Sequence, residues 1–298
     1  MSVQAISNLA MPNGGYAMLA LDQRESLRQM MTNGQNREIS DDDIVNFKAE
    51  ALNIFATQPS AVLLDVDFGV DAFEKSVAEQ PPIILAIDLL HHASDGKLFA
   101  TSLATDGIER AIERVNPQAL KFLMLWSENE TPSQRLDLAG SFVDFCKLQK
   151  LPAVLESIVR PKGTPVWSDP RAAADAMVIA ADELSIVESD LFKCEVPGHG
   201  KFGQETTIEY ARQITQAIGS PWVVLSNGVS AIDFPDAVSA ACKGGASGFL
   251  AGRAIWADAV KEKSAIDFLK NESTNRFTVV QNIVSAEMAQ RLPNEASA

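Results

Sequence analysis

Eight short apolar runs recur along the 298-residue chain, and each is followed by a longer segment with amphipathic spacing. The runs are residues 16–21, 61–64, 83–87, 120–126, 153–159, 191–196, 222–225 and 248–251. Continuous apolar strands separated by helices are typical of a parallel sheet that is covered on both faces. Eight units in 298 residues average about 37 residues each, which accommodates a strand, a helix and their loops. The pattern therefore predicts a (β/α)8 TIM barrel.

The segments between the runs have the spacing of amphipathic helices. Segment 41–55 places Ile44 and Phe47 on one face, and Ser40 or Asp41 is a suitable N-cap. No linker or change of composition divides the chain, so we expect one domain over residues 1–298. Further helices are predicted at residues 135–148, 172–184, 206–218 and 233–242, and a C-terminal helix at residues 276–292.

An open, doubly wound α/β sheet is the alternative architecture, since periodicity alone cannot show that a sheet closes. The even distribution of the eight units along the chain favours the closed barrel. In such a barrel the carboxyl ends of all the strands meet at one face, where active sites are built.

Composition and charge narrow the possible partners. The chain carries 25 Lys and Arg against 39 Asp and Glu, a formal net charge of −14, which argues against nucleic-acid and membrane partners. No apolar run approaches the roughly 20 residues of a membrane span, and no signal peptide is recognisable. Cys146, Cys194 and Cys242 are widely spaced and odd in number, which indicates reduced, buried thiols. We therefore expect a cytoplasmic protein.

Two lysines and one glutamate lie inside predicted strands. Lys121, Glu156 and Lys193 belong to three consecutive runs, although lysine is seldom buried without a partner. A desolvated lysine amine can attack a carbonyl and form a Schiff base. Lys121 beside Lys193 would favour the neutral, nucleophilic amine, and Glu156 could move protons. The alternatives are a buried ion pair that serves only the fold, and a lysine whose head group reaches water.

The last two predicted units carry a different signal. Ser226 and Gly228 follow the seventh run, and Gly252 and Arg253 follow the eighth. Glycines allow backbone amides to approach an anion closely, and arginine can donate two hydrogen bonds to it. In such barrels these loops commonly form the phosphate-binding site, although tight strand–helix turns would also explain the glycines.

A metal site and a mobile lid are further possibilities. His91 and His92 are adjacent after the third run, but nothing else groups with them, so we expect surface or helix-cap positions rather than a zinc site. Residues 197–203 contain Gly198 and Gly200 and could form either a lid or a flexible loop. We expect no metal and no other cofactor. Acidic residues follow the first three runs, at Asp22, Asp65, Asp67 and Asp88.

Taken together, these segments resemble the class I aldolases of the tagatose-bisphosphate aldolase group, and most of all the sulfofructosephosphate aldolases. The matching stretches span nearly the whole predicted barrel and are specific for the group in combination. The opening motif GGYAMLALDQRE resembles the sulfosugar branch. The stretches are residues 14–25, 120–123, 159–161, 190–197, 221–229 and 245–256.

The resemblance implies that Lys193 is the Schiff-base lysine and that Glu156, Lys121 and Asp22 complete the catalytic group. By this likeness the enzyme cleaves the C3–C4 bond of 6-deoxy-6-sulfofructose 1-phosphate, in sulfoquinovose breakdown. The products would be dihydroxyacetone phosphate and 3-sulfolactaldehyde. Tagatose or fructose 1,6-bisphosphate is the alternative substrate, by the same chemistry. A non-catalytic sugar-phosphate sensor is a further alternative, although binding alone needs no nucleophilic amine.

The resemblance also implies two anion sites and a homo-oligomer. Gln23 and Arg24 would line the pocket for the distal sulfonate or phosphate. A sulfonate carries one negative charge and a phosphate nearly two, so the sulfonate needs fewer cations. The residues around the 1-phosphate would be Ser226, Gly228, Gly252 and Arg253.

Overall fold

The chain folds into a closed barrel of parallel strands in the computed structural model, which describes residues 6–93, 98–104, 106–163 and 167–295. The strands of these ranges, numbered along the chain, are Tyr16–Leu21 (β1), Ala61–Asp65 (β2), Ile83–Ala86 (β3), Asp88–His92 (β4), Leu98–Leu103 (β5), Ala119–Ser127 (β6), Ala153–Arg160 (β7), Leu191–Glu195 (β8), Trp222–Leu225 (β9) and Gly248–Ala251 (β10). The barrel order is β1-β10-β9-β8-β7-β6-β3-β2, and β4 and β5 form a separate antiparallel hairpin.

Helices connect the barrel strands and cover them. In the described ranges they are Glu25–Gln35 (α1), Asp41–Phe55 (α2), Gly69–Lys75 (α3), Ile108–Val115 (α4), Pro132–Gln149 (α5), Pro170–Ser185 (α6), Gln204–Ile218 (α7), Phe234–Lys243 (α8), Arg253–Trp256 (α9), Ala265–Phe268 (α10) and Thr274–Glu295 (α11). Short 3₁₀ turns lie at Ser7–Leu9, Pro197–Gly200 and Ala257–Lys261, and a π-helical turn lies at Leu269–Ser273. None of these helices has both the length and the apolar character needed to cross a membrane.

The predicted barrel and its C-terminal helix are confirmed. Each of the eight apolar runs coincides with a barrel strand, and α11 extends the predicted terminal helix at both ends. β1 pairs in parallel with both β2 and β10, with Tyr16 opposite Gly248 and Leu19 opposite Ala251. This pairing closes the sheet and excludes the open, doubly wound alternative. The single-domain organisation stays a prediction.

The hairpin of β4 and β5 was not predicted from the sequence. It stands between β3 and α4, with Asp88 opposite Leu103 and Leu90 opposite Thr101. Most of its side chains are at least partly exposed, so it contains no continuous apolar run by which a buried strand is recognised. His91 and His92 lie on this exposed hairpin, as expected for surface residues, and not at a helix cap.

Side chains alternate between the interior of the barrel and the layer beneath the helices. Met18, Leu63 and Val154 belong to the apolar cluster inside the barrel, and Leu191 joins them. Successive residues of a strand point to opposite faces, so Lys193 points inward one layer nearer to the carboxyl end than Leu191. The apolar interior therefore forms a closed floor beneath the polar residues.

The three cysteines are free and buried, as the sequence predicts. Cys194 packs in the layer between strands and helices, on the opposite face of β8 from Lys193. Burial raises the pKa of all three thiols, that of Cys242 to about 12. None of them is therefore a reactive thiolate near neutral pH.

Candidate active site

The carboxyl ends of the barrel strands surround a cavity of about 290 Å³. The strands bring together side chains that are far apart in sequence, because all eight carboxyl ends meet at this face. Every residue that the sequence predicted for the site lines the cavity except Gly228, which lies beside it in the loop after β9. The lining includes Asp22, Gln23, Arg24, Asp88, Lys121, Glu156, Arg160, Lys193, Ser226, Asn227, Gly252 and Arg253.

The two predicted lysines meet at one carboxylate. Lys193 Nζ donates a hydrogen bond to Glu156 Oε2 at 3.0 Å, and Lys121 Nζ lies 2.8 Å from the same oxygen. The three side chains come from the adjacent strands β6, β7 and β8, where Glu156 is directly opposite Lys193. Lys121 and Lys193 are only 1% and 4% exposed. Neither head group reaches bulk water, so the simple surface-lysine alternative does not describe them.

Lys121 is held by three carboxylates. Its Nζ donates to Asp88 Oδ2 at 2.8 Å and to Asp22 Oδ2 at 3.1 Å, in addition to its contact with Glu156. Burial opposes the charge on Lys121, but the three carboxylates outweigh it and raise the pKa above its ordinary value. Lys121 is therefore a fixed cation at working pH.

Asp22 is the predicted carboxylate on the other side of Lys121. Burial alone would raise the pKa of Asp22, but Lys121, Lys193 and Arg24 together hold it below its usual range. Asp22 is thus ionised and hydrogen-bonded at the cavity wall. The effect of Lys121 on the protonation of Lys193 stays a prediction, because the Glu156 oxygen contacts both amines.

Asp88 is a site residue to which the sequence had assigned no role. Its Oδ2 accepts hydrogen bonds from Lys121 Nζ and, at 3.0 Å, from the backbone N–H of Leu123, while Oδ1 accepts from Arg24 Nη2 at 3.0 Å. Asp88 is the first residue of the hairpin that follows β3. The sequence showed that Asp88 follows a predicted strand, but it did not show which groups Asp88 binds.

Arg24 is bound to acidic groups of the barrel. It donates from Nη1 to the backbone carbonyl of Asp88 at 2.7 Å, and its Nε lies 3.3 Å from Asp67 Oδ2 and 3.8 Å from Asp65 Oδ1. Burial works against this charge, but the carboxylates outweigh it and raise the pKa of Arg24. Gln23 also lines the cavity, and its buried Oε1 accepts no hydrogen bond from any described residue. Their role at a distal anion stays a prediction.

Lys48 extends this ion network away from the cavity. It lies on α2, which begins with a capping box between Ser40 and Asp43. Of the two predicted N-caps, Ser40 is therefore the one that caps this helix. Lys48 Nζ donates to Asp65 Oδ2, and both side chains are fully buried. The amphipathic spacing of this helix predicts only apolar residues on its buried face, so Lys48 was not predicted there.

Replacing Lys48 with methionine is expected to lower the free energy of unfolding by about 3 kcal/mol, the lower end for removing one partner of a buried ion pair. Asp65 would keep Arg24 Nε at 3.8 Å and the N–H of Phe68 at 2.8 Å, but would lose its nearest cation. Chemical denaturation measures the change. The control is Lys75→Met, at an exposed lysine bonded to Asn46, where a change within about 0.5 kcal/mol is expected. Equal changes in both variants would contradict the prediction.

The loops after β9 and β10 form the predicted anion side of the cavity. Ser226 Oγ accepts a long hydrogen bond from the backbone N–H of Ala254 at 3.4 Å. Arg253 Nη2 donates to Asn227 Oδ1 at 2.7 Å. Arg253 is otherwise exposed to solvent at the cavity rim, so its guanidinium keeps donors free for an anion. Asn227 was not singled out from the sequence.

The two predicted glycines allow close backbone approach. A Cβ at Gly252 would lie 2.4 Å from the carbonyl oxygen of Ala20 and 2.9 Å from Trp256 Nε1, which donates to that carbonyl. Gly228 has a φ of +76°, and a Cβ there would lie 3.0 Å from the Cβ of His199. A side chain at either position would therefore displace the loops that line the anion side.

The hairpin forms part of the cavity wall. Leu90 and His92 of β4 and Leu98 of β5 contribute to the lining, opposite the anion loops. Within the described ranges, no three His, Cys, Asp or Glu side chains converge in a way that could hold a metal ion. The wall formed by the hairpin combines two leucines with one imidazole.

Comparisons with known proteins identify the family of this chain. The profile of the DeoC/LacD family aldolases matches residues 16–258. The chain is 25% identical to tagatose 1,6-diphosphate aldolase 1 of Streptococcus mutans, over 94% of each protein. It is 28% identical to tagatose 1,6-diphosphate aldolase 1 of Enterococcus faecalis, over 86% of this chain and 84% of that protein.

Solved structures share the fold at lower sequence identity. Fructose-bisphosphate aldolase from Plasmodium falciparum superimposes with a TM-score of 0.71 at 13% identity, over 95% of this chain and 93% of that one. A Schiff-base-forming fructose 1,6-bisphosphate aldolase superimposes with a TM-score of 0.61 at 15% identity, over 92% and 98% of the two chains. With a barrel fold and a family match over most of its length, the chain belongs to the DeoC/LacD family of aldolases, enzymes that cleave carbon–carbon bonds.

Proposed function

We propose that this protein is a class I aldolase in which Lys193 forms a Schiff base with the carbonyl group of a ketose 1-phosphate. The observation that carries the proposal is the buried Lys193 Nζ, 3.0 Å from Glu156 Oε2 at the edge of the cavity. A buried amine beside a carboxylate has both the nucleophile and the proton acceptor that carbinolamine formation requires. Family membership supports the same reaction class.

The reaction can be written through these side chains. Lys193 gives a proton to Glu156 and attacks the C2 carbonyl, and Glu156 returns that proton to the carbinolamine hydroxyl, which leaves as water to give an iminium ion. The Glu156 carboxylate then takes the C4 hydroxyl proton as the C3–C4 bond breaks, and the electron pair of that bond moves into the iminium to form an enamine. The aldehyde leaves, protonated Glu156 gives its proton to C3, and hydrolysis of the iminium frees Lys193 and releases dihydroxyacetone phosphate. Lys121 stays charged throughout and holds Glu156 and Asp22 in place.

We infer that the substrate is a ketose 1,6-bisphosphate, tagatose or fructose, because the relatives named above are tagatose 1,6-diphosphate aldolases at 25% and 28% identity. The anion loops after β9 and β10 suit the 1-phosphate, since glycine backbone and Arg253 face the cavity together. The distal phosphate would then lie on the opposite side of the cavity, toward the hairpin.

A second candidate substrate is 6-deoxy-6-sulfofructose 1-phosphate. This substrate is favoured because few cations that line the cavity are free to bind an anion. Among the described arginines and lysines of the lining, three are bound to carboxylates within 3.3 Å, namely Lys121, Lys193 and Arg24. Arg160 and Arg253 remain for two anions. A singly charged sulfonate requires less positive charge than a second phosphate. The ratio of kcat/KM on the bisphosphates and on the sulfosugar phosphate decides between the two substrates.

Borohydride trapping tests the Schiff base directly. Reduction in the presence of dihydroxyacetone phosphate is expected to leave a covalent adduct on Lys193, because reduction converts the iminium into a stable amine. Peptide mass spectrometry locates the adduct. Treatment with borohydride alone is the control and should leave Lys193 unmodified. An adduct on another lysine, or turnover without any adduct, would contradict the proposal.

A further inference from the structure

A fully buried carboxylate lies behind the cavity wall, two residues after Lys193. Glu195 is 0% exposed and does not line the cavity. Its Oε2 accepts a hydrogen bond from the backbone N–H of Val159 at 3.1 Å, and its Oε1 accepts from Asn227 Nδ2 at 2.7 Å. His199 Nε2 contacts the same Oε1 at 3.1 Å. The proposed reaction uses none of these groups, so this buried charge needs another explanation.

The contact with Asn227 fixes the direction of that amide. Because Asn227 donates its NH2 group to Glu195, its Oδ1 faces outward and accepts from Arg253 Nη2 at 2.7 Å. Arg253 is thus linked to a buried charge through one side chain. An exposed arginine without this link would sample many rotamers and lose their entropy when it binds an anion.

A second arginine lies near the same carboxylate oxygen of Glu195. Arg160 Nη1 is 4.0 Å from Glu195 Oε1 and donates to the backbone carbonyl of Val159 at 2.9 Å. Arg160 lines the cavity, as Arg253 does. Two arginines around one carboxylate leave a net positive charge that faces the cavity, where a substrate anion would be attracted.

We propose that Glu195 is a positioning residue that orients Arg253, through Asn227, and Arg160 to receive a phosphate monoester of the substrate. The inference rests on the proposed aldolase function and adds the group that organises its anion site. Glu195 does not touch the substrate. It acts as an acceptor that keeps donor groups of β7, the turn after β8 and the loop after β9 in one arrangement.

The variant Glu195→Gln tests this role. The groups within hydrogen-bond reach of the carboxylate can all donate N–H groups, so the NH2 group of a glutamine must face another donor. If the new NH2 group takes the place of Oε2, it faces the N–H of Val159. If it takes the place of Oε1, it faces the NH2 of Asn227, which must then turn its oxygen away from Arg253. The first arrangement breaks the hydrogen bond to Val159, whose carbonyl holds Arg160, and the second breaks the bridge to Arg253.

The readout compares borohydride trapping with dihydroxyacetone phosphate and with dihydroxyacetone, which lacks the phosphate. For Glu195→Gln, we expect the concentration of dihydroxyacetone phosphate giving half-maximal trapping to rise about 10- to 100-fold. Trapping at saturation, and trapping with dihydroxyacetone, should change less than about twofold. Asn227→Ala removes only the bridge and should reproduce the effect even if Glu195→Gln folds poorly.

Three results would overturn the inference. Equal losses with both ketones would show that Glu195 serves the fold or the chemical step. Unchanged affinity for dihydroxyacetone phosphate in Asn227→Ala would show that the bridge has no role. If the wild-type protein traps neither ketone, the Schiff-base proposal fails and this inference fails with it. If the wild-type protein traps both ketones and only the variants give the results above, the role of Glu195 fails alone.

Discussion

Replacing Lys193 with methionine is expected to lower kcat about a millionfold, the scale on which covalent nucleophiles contribute. Methionine has similar length but no amine, so the Schiff base cannot form. Glu156 would keep Lys121 at 2.8 Å, so the buried carboxylate stays paired and the barrel should fold. Aldol cleavage assays measure the rate, and borohydride trapping should find no adduct.

The companion variant Lys193→Arg separates covalent chemistry from charge. Arginine restores a cation beside Glu156, but its guanidinium stays protonated and does not attack carbonyls. We expect a loss as large as in Lys193→Met. Substantial activity in the arginine variant would mean that Lys193 acts only as a cation, and would contradict the covalent mechanism.

The variant Glu156→Gln is expected to lower kcat by about 10²- to 10⁴-fold, the usual contribution of a positioned general acid or base. The amide cannot take or give the protons that carbinolamine dehydration requires. Its NH2 group would also face Lys121 or Lys193, where the carboxylate oxygen now lies within 3.0 Å of both amines. Single-turnover trapping should therefore slow in parallel with kcat.

Glu183→Gln is the matched control for this carboxylate. Glu183 lies on α6, is also largely buried, and pairs with Arg135 Nη2 at 2.6 Å, outside the cavity lining. Its replacement should lower the free energy of unfolding and leave kcat within about twofold. If kcat falls to a comparable extent in Glu183→Gln and in Glu156→Gln, the loss in Glu156→Gln comes from destabilisation of the fold and not from lost proton transfer.

Much of the architecture follows from the apolar pattern. Parallel barrel strands are buried on both faces, so each appears in the sequence as a continuous apolar run. An ionisable residue inside such a run is therefore easy to recognise. Lys121, Glu156 and Lys193 were visible as such residues, and the alternation of side chains along a strand explains why all three face the interior. The structure brings the three side chains into mutual contact.

Residues that act through tertiary contacts were not recognisable in the same way. Lys48 lies on an amphipathic helix, and its pairing with Asp65 depends on where that helix packs. Glu195 lies at the end of β8, and its partners on β7 and after β9 come from other parts of the chain. The exposed hairpin lacks the apolar run that identifies a buried strand.

By itself, the sequence determined the eight strands, their order along the chain and the presence of two lysines and a glutamate inside them. These features depend on local pattern, because burial and side-chain alternation act over a few residues. Only the tertiary structure decided that Glu156 Oε2 lies between both amines, that Arg24 and Lys121 are bound to carboxylates, and that Glu195 joins the anion loops. Such pairings depend on the closure and register of the barrel, which bring charges from distant segments within a few ångströms and so set which of them remain available to a substrate.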